Sequence, residues 1–414
     1  MKVAIIGGGV IGAGIAWRLA QRGADVVVIG DRTRPGVASI AAGGMLAPLA
    51  EAPHGGAYFA LGLESLRRWP SFAAELESTT GHAIGYTAAG KLVAALSAAE
   101  AEALAATYTA ASEGVELIDG AAARRLEPSL SPDARAAIVI RDDHRVDNVA
   151  MHAALERAAT LAGARFVAAR ATAIGSRAGR ATGVVAGDRT FDADVIVLAA
   201  GAWSGAIEGL PRPLPVRPVR GQMLALRPAS PLFTRTLASA HAYMVPRPDG
   251  RVIVGSTMEE VGFDATTTPD ALAGLRHAAL RLVPALADAA HGGAWAGLRP
   301  ATTDGLPVLG PDPELHGLVY ATGHFRNGIL LTPITADAIA AAVTGGDDVD
   351  VASFSPARFA ARADDASNAT ASAHADAPSQ LDRTCDLCGA QMYAVHCKLI
   401  CPACGYKRDC SDLW

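Results

Sequence analysis

No cysteine precedes Cys385 in this 414-residue chain; all six (Cys385, Cys388, Cys397, Cys401, Cys404 and Cys410) crowd towards its C-terminus. The body therefore has no disulfide, no cysteine nucleophile and no thiol to which a prosthetic group could be tethered. Lysine is nearly as scarce, with Lys2, Lys91, Lys398 and Lys407 the whole complement. A pyridoxal-phosphate enzyme needs a Schiff-base lysine, and Lys91 would be the only realistic candidate in the body, so that class is disfavoured. The net charge of −5 and the absence of a lysine/arginine block leave no basic field for nucleic acid or for an anionic membrane surface. No uncharged apolar stretch reaches membrane-spanning length. Val3–Trp17 is apolar behind a single Lys2, but five glycines interrupt it and no small-residue cleavage site follows. A buried strand and helix explain it better than a secretory signal, and the chain is expected to be cytoplasmic.

What remains has a globular balance, 50% hydrophobic and 19% charged, in a length that suits two or three domains. The chain opens as strand (Lys2–Ile6), glycine turn, helix (Ala13–Arg22) and strand (Asp25–Ile29), a βαβ unit. Helices are expected at Ala57–Ser78, Ser97–Ser112, Asn148–Ala162, Pro269–Leu282 and Thr332–Val343. Strands are expected at Gly90–Ala95, Arg165–Ala169, Arg180–Ala186, Asp194–Leu198 and Leu318–Ala321, with a strand-like stretch over Val216–Thr257. The class is α/β, α+β overall. After Pro356 the chain turns rich in Ala, Ser, Asp and Asn, and 356–383 is expected to be a flexible tether.

Gly7, Gly9 and Gly12 form G-x-G-x-x-G between the first strand and the first helix. Glycine there permits a tight turn, close backbone approach to a pyrophosphate and close helix–strand packing. The following helix N-terminus, with Val10 and Ile11 in its first turn, offers free N–H groups to phosphate. The acid that should close the second strand is displaced: Gly30 stands in its place and Asp31 follows, either reaching a ribose or serving only as a solvated turn residue. The motif alone does not separate NAD from FAD. Two further strand-to-glycine elements, Asp194–Trp203 with Ala200, Gly201 and Trp203, and Tyr320–Gly328, suit a long cofactor extended through the fold.

At this point the chain resembles the D-amino-acid-oxidase-like flavoenzymes and, within them, the glycine oxidases associated with thiamine biosynthesis. The resemblance covers roughly residues 1–350. It rests on Gly7–Gly12, Ala41–Leu46 with Glu51, Val146-Asp147-Asn148, Pro218–Gln222, Tyr243–Arg247, Trp295–Pro300 and Gly323–Leu330. It implies a glutathione-reductase-like Rossmann FAD domain (about 1–42, 71–87, 143–215 and 297–350) and an antiparallel-sheet substrate domain (about 43–70, 88–142 and 216–296). FAD would be held non-covalently. Ala42, Gly43, Gly44, Met45 and Leu46 would lie beside the isoalloxazine ring, Asp31, Arg32 and Val167 at the adenosine half, and Arg326, Asn327, Gly328, Ile329 and Leu330 along the pyrimidine side. Arg299 and Tyr243 would face the substrate carboxylate, and Arg326 either the substrate or the flavin. His324, a lone histidine in a glycine loop, is left out of the chemistry. The family usually has an acid where Gly30 stands and often alanine where Gly43 stands. Monomeric sarcosine oxidases, which are relatives, activate oxygen with a lysine, and residues 92–397 contain none; oxygen and another electron acceptor both stay open.

Cys385-x2-Cys388 and Cys401-x2-Cys404, twelve residues apart and each pair followed by glycine, have the spacing of a closed four-thiolate ribbon. Zinc is the expected metal, with iron, as in rubredoxin-like knuckles, the alternative. The leading expectation is oxidative deamination of a small, glycine-like amine by a homo-oligomer using oxygen. The alternatives are a dehydrogenase or tailoring enzyme whose ribbon recruits a protein partner, and a flavin-bearing binding module.

Overall fold

The first strand of the chain, Lys2–Ile6, lies inside a six-stranded sheet. Its order is Val308–Pro311, Leu318–Thr322, Val195–Leu198, Lys2–Ile6, Asp25–Ile29, Arg165–Val167, and every pairing is parallel except the Val308–Pro311 edge. Parallel strands buried on both faces need unbroken apolar runs, which Val3–Ile6, Val26–Ile29 and Val195–Leu198 supply. Side chains alternate across the sheet. Val3, Ile5, Val26 and Val28 pack under the helices Val10–Gln21, Asn148–Leu161 and Thr332–Thr344. Ala4, Ile6, Val27 and Ile29 meet the three-stranded antiparallel sheet Ala171–Arg177, Arg180–Ala186, Arg189–Asp192.

This computed structural model describes residues 1–31, 33–51, 56–108, 114–346 and 349–359, together with the backbone of three C-terminal strands. Met1–Phe359 is one compact unit and Ala360–Trp414 another. In the second unit Tyr393–Val395, Lys398–Ile400 and Lys407–Asp409 form an antiparallel sheet. The expected ligands Cys385, Cys388, Cys401 and Cys404 lie outside the described residues, as does most of the expected tether. Its beginning differs from expectation: Pro356 is buried, and Arg358 Nε donates to Asp304 Oδ2 at 2.7 Å, so the chain is still fastened to the body there. No helix among the described residues is long and apolar enough to cross a membrane.

An eight-stranded sheet forms the second layer of the body, in the order Ala290–Thr302, Val216–Arg227, Val252–Gly255, Tyr243–Pro246, Thr236–Ala238, Lys91–Ala95, Ala136–Ile140, Val115–Asp119. One face packs on the helix Pro269–Leu282 through Leu224, Met244, Val254 and Leu275. The 13-residue strand Ala290–Thr302 has no counterpart in the sequence reading, because three glycines and Pro300 obscure its alternation. It is stable as a strand because Val216–Arg227 pairs with it from Val216↔Thr302 to Arg227↔Ala290. Pro300 is tolerated because this strand is the sheet edge. The helix Ala57–Thr80 runs through the domain boundary expected at residue 70. Its buried Leu61, Leu66, Trp69, Phe72 and Leu76 all join the core of the parallel sheet, since the apolar stripe continues on both sides of Pro70.

Candidate functional site

Parallel pairing brings the ends of Lys2–Ile6, Asp25–Ile29, Val195–Leu198 and Leu318–Thr322 to one edge of the sheet. Successive strands leave Lys2–Ile6 in opposite directions, which opens a crevice at the carboxyl ends. Gly7, Gly30, Ala200, Gly201 and the Gly323–Gly328 loop, far apart in sequence, therefore converge there. A cavity of about 540 Å³ starts at this edge and extends to the eight-stranded sheet. The glycines are needed by the backbone. Gly7 has φ +110°, and a Cβ on it would stand 2.3 Å from Ala199 O; a Cβ on Gly12 would stand 1.9 Å from Gly7 O. Gly12 thus packs helix on strand without lining the cavity, whereas Gly7, Gly9, Val10 and Ile11 line it. This cradle, which a single methyl would fill, fits an extended dinucleotide.

Gly30 is explained by the same crowding, since a Cβ there would lie 2.8 Å from Gly8 N. Asp31 lines the cavity one residue later. Its carboxylate accepts from Thr33 Oγ1 at 2.7 Å and Thr33 N at 3.1 Å, and the Thr33 hydroxyl holds it below the usual carboxylate range. Arg170 stands 3.5 Å from it. Arg32 lies outside the described residues. Val167 is not on the main cavity wall. Its carbonyl accepts from Gly30 N at 3.1 Å, and it borders a smaller cavity with Gly8 and Gly30.

The segment Ala42–Met45 forms one wall. Leu46 departs from expectation: strand alternation turns Met45 to the cavity and Leu46, fully buried, into the core. Gly44 has φ +72°, and a Cβ there would stand 2.1 Å from Val146 O. A residue absent from the sequence reading as a site residue holds this wall. Arg247 Nη1 donates to Val146 O at 2.7 Å, and Nη2 donates to Asn148 Oδ1 at 2.6 Å and Gly43 O at 3.2 Å. Asn148 Nδ2 in turn donates to Ser39 O at 2.8 Å and Ile40 O at 3.0 Å. Burial pushes the Arg247 guanidinium below its ordinary pKa. The Val146-Asp147-Asn148 and Tyr243–Arg247 segments were visible in the sequence, but their mutual contact was not. His152 was missed too; its Nε2 lies 2.7 Å from Gly8 O.

Opposite that wall, Arg299 and Tyr243 project from the eight-stranded sheet into the cavity. Arg299 Nη2 donates to Ser256 Oγ at 2.6 Å and Nη1 to Thr257 O at 3.1 Å. The guanidinium lies over Gly221, where a Cβ would be 2.2 Å from Nη2. Tyr243 fits between two glycines: a Cβ on Gly43 would come within 2.9 Å of its ring and one on Gly255 within 2.5 Å. The departure at Gly43 therefore has a steric reason. Arg326 is exposed at the rim, its guanidinium 5.6 Å from the Phe325 ring centroid. Asn327, Gly328 and Ile329 line the cavity, and Asn327 Nδ2 donates to Tyr58 Oη at 2.9 Å. The Leu330 side chain is in the core, which leaves only its backbone for the expected flavin contact, and its carbonyl accepts from Ser65 Oγ at 2.6 Å and Trp69 Nε1 at 2.9 Å. Trp203 closes one end, with the Arg34 guanidinium 4.1 Å from its centroid and Phe263 stacked at 5.9 Å. His324 is buried against Thr335 Oγ1 at 3.1 Å, and burial pushes its pKa down to about 3, which leaves it a poor base.

The family model described as DAO, FAD dependent oxidoreductase, matches residues 2–342. The chain belongs to this family. FAD is the family's cofactor, and the glycine cradle and extended cavity suit it. Among relatives of this DAO-family chain, the glycine oxidase of Geobacillus kaustophilus is 37% identical over 367 residues, covering 86% of this chain and 96% of that protein. Its crystal structure, aligned at 34% identity, superposes with a TM-score of 0.80 over 86% of this chain and 98% of the other. The bifunctional protein ThiO/ThiG of Synechocystis sp. is 39% identical over 370 residues, and the match spans 86% of this chain but only 54% of that longer protein. Residues 383–414 match a second family model, described as zinc finger protein-like. A metal-binding ribbon at the C-terminus is the reading that match supports.

Proposed function

We propose that the body oxidises glycine or a similarly small amine to the imine, which water hydrolyses to the 2-oxo acid and ammonia. The observation that carries this reading is the Arg299 guanidinium on the cavity wall, with Tyr243 on the same wall and the Ala42–Met45 segment facing them. A guanidinium fork matches a carboxylate in bidentate fashion, and Tyr243 adds a hydroxyl donor. Ser256 Oγ and Thr257 O fix the fork, so the anchor is oriented before substrate arrives. FAD, when bound, would supply the redox chemistry these side chains lack, as acceptor for the hydride from the substrate Cα with oxygen the final acceptor of the electron pair. Gly7, Gly9, Val10, Ile11, Asp31, Ala200, Gly201 and Trp203 would hold its dinucleotide part, and Ala42–Met45 with Asn327–Ile329 its ring. Val167 and Arg32 are proposed near the adenosine, and Arg326 at the entrance. The glycine oxidases among its relatives point the same way.

At the C-terminus, Cys385, Cys388, Cys401 and Cys404 are proposed to hold structural zinc in a ribbon that docks a protein partner, and the enzyme to be a cytoplasmic homo-oligomer. The decisive experiment offers glycine, sarcosine and D-alanine in air to the yellow holoprotein. Peroxide release with at least one is expected; reduction with transfer only to an artificial dye would make the protein a dehydrogenase, and no reduction at all would reject the assignment. Arg299→Ala is expected to lower kcat/KM by about ten- to a hundredfold, since a charged hydrogen-bonded pair contributes about 1.5–3 kcal/mol.

A further inference from the structure

Of the residues Pro218–Gln222, which carry part of the family resemblance, only Gly221 lines the cavity. Alternation along the strand Val216–Arg227 puts Gly221 and Met223 on the cavity side, and Arg220 and Gln222 on the opposite face with Leu224 and Leu226. Both polar side chains are buried there, Arg220 at 5% exposure and Gln222 at 0%. Burying a guanidinium and a carboxamide is costly unless their hydrogen bonds are made, so their partners show what they hold.

Those partners lie in residues 256–268, which leave the neighbouring strand Val252–Gly255 and lead into the helix Pro269–Leu282. Pairing runs Met223↔Gly255 and then Arg220↔Glu259, so Ser256, Thr257 and Met258 face Gly221 and Gln222 with one residue in excess. This is a β-bulge, a device that re-aims groups beside a site. Here it presents Ser256 Oγ and Thr257 O to the Arg299 guanidinium, at 2.6 Å and 3.1 Å.

The bulge is gripped from the far face. Arg220 and Glu259 exchange backbone bonds at 2.8 Å and 3.0 Å. Arg220 Nε donates to Glu259 Oε2 at 2.8 Å, and Nη1 to Asp264 Oδ2 at 2.6 Å. Gln222 Nε2 donates to Glu259 Oε1 at 2.8 Å, and Gln222 Oε1 accepts from Thr268 N at 2.7 Å. Gln222 N donates to Thr257 Oγ1 at 2.9 Å, on the same residue whose carbonyl meets Arg299.

We propose that Gln222, together with the Arg220–Glu259 pair, is a positioning residue for the carboxylate anchor: it fixes the bulge, the bulge fixes the Arg299 fork, and the fork meets the substrate. This inference rests on the assignment of Arg299 as the anchor. The Arg220, Gln222 and Glu259 side chains lie outside the cavity lining, so their effect on a ligand passes through Ser256 and Thr257. Bidentate recognition depends on the orientation of the fork as well as on its charge. Slack in the bulge therefore weakens carboxylate binding without removing the guanidinium.

A double-mutant cycle on acetate binding, read from the perturbation of the bound flavin's visible spectrum, tests this without turnover. Gln222→Met leaves the Arg220–Glu259 pair and its backbone bonds in place. It is expected to load with flavin like the parent and to bind acetate about three- to tenfold more weakly. In an Arg299→Ala background the same substitution should change acetate affinity by less than about twofold, because the fork it orients is gone. Should Gln222→Met fold poorly, Thr257→Val keeps the side-chain shape, removes the acceptor of Gln222 N and should give the same pattern. Acetate binding that is unchanged in both single variants, or weakened by the same factor with and without Arg299, overturns the positioning role while the anchor stands. Undiminished acetate binding by Arg299→Ala overturns the anchor and the positioning role with it.

Discussion

At Arg299 the guanidinium rests on a residue with no side chain, and that contact can be tested apart from the arginine. Gly221→Ala would place a methyl 2.2 Å from Nη2, so the fork must swing away from Ser256 and Thr257. The variant is expected to take up FAD normally and to show a several-fold higher KM for amines, measured in steady state beside its flavin content. An unchanged KM would show that the fork does not meet substrate. Arg299 and Tyr243 were legible in the sequence because the segments around them resemble a family. Arg247 was not, for a physical reason: it acts through Asn148, far away in sequence, and single-chain periodicity carries no trace of such contacts.

Among the elements, the helix Ala57–Thr80 holds the cavity loop from behind. Ser65 Oγ and Trp69 Nε1 both donate to Leu330 O, so this buried carbonyl keeps one partner when the other is removed. Trp69→Phe is expected to cost about 1 kcal/mol, and Ser65→Ala a similar amount. The double variant should cost more than their sum, because it alone leaves the carbonyl unsatisfied. Thermal midpoints of the four proteins give the comparison, and strict additivity would show that water replaces the lost donors. Pro269–Leu282 matches its expected bounds, since proline at its start and a helical apolar stripe are local signals. Ala290–Thr302 escaped notice because its glycines and proline erase alternation, and only pairing with Val216–Arg227 makes it a strand.

For the molecule as a whole, acid should act early. His324 is buried, with its pKa near 3 in the folded protein, against an unperturbed value of about 6.5. Between those values the unfolded chain binds a proton that the folded chain does not, so stability falls as pH drops from about 6.5 towards 3. Carboxyls add to the loss lower down. Glu75, Glu259 and Asp304 are each pushed up by burial but pulled further down by hydrogen bonds, chiefly from Arg18, from Thr257 and Arg220, and from Arg358 respectively. Their stabilising effect is present above the ordinary carboxyl pKa and disappears as pH falls through the depressed values. Thermal midpoints should therefore decline from pH 6.5 to 4, and His324→Gln should flatten that decline. An identical slope in the variant would remove His324 from the account. Since Met1–Phe359 and Ala360–Trp414 are separate compact units, a chain ending at Phe359 is expected to stay folded and yellow. Loss of the flavin on truncation would show that the body depends on the ribbon.

The sequence by itself determined what depends on near neighbours: the first βαβ unit, the glycines that must let backbone approach, the cysteine spacing of the ribbon, and the family. Tertiary structure alone decided which of these meet. Parallel pairing carried Gly7, Gly30, Gly201 and the Gly323–Gly328 loop to one sheet edge, while antiparallel pairing with His144–Arg145 fixed Met45 on the cavity side and Leu46 in the core, and the antiparallel strands of the second sheet brought Tyr243 and Arg299 to the cavity. Local propensity is written into a few consecutive residues, whereas a site is made by strands that find each other across hundreds.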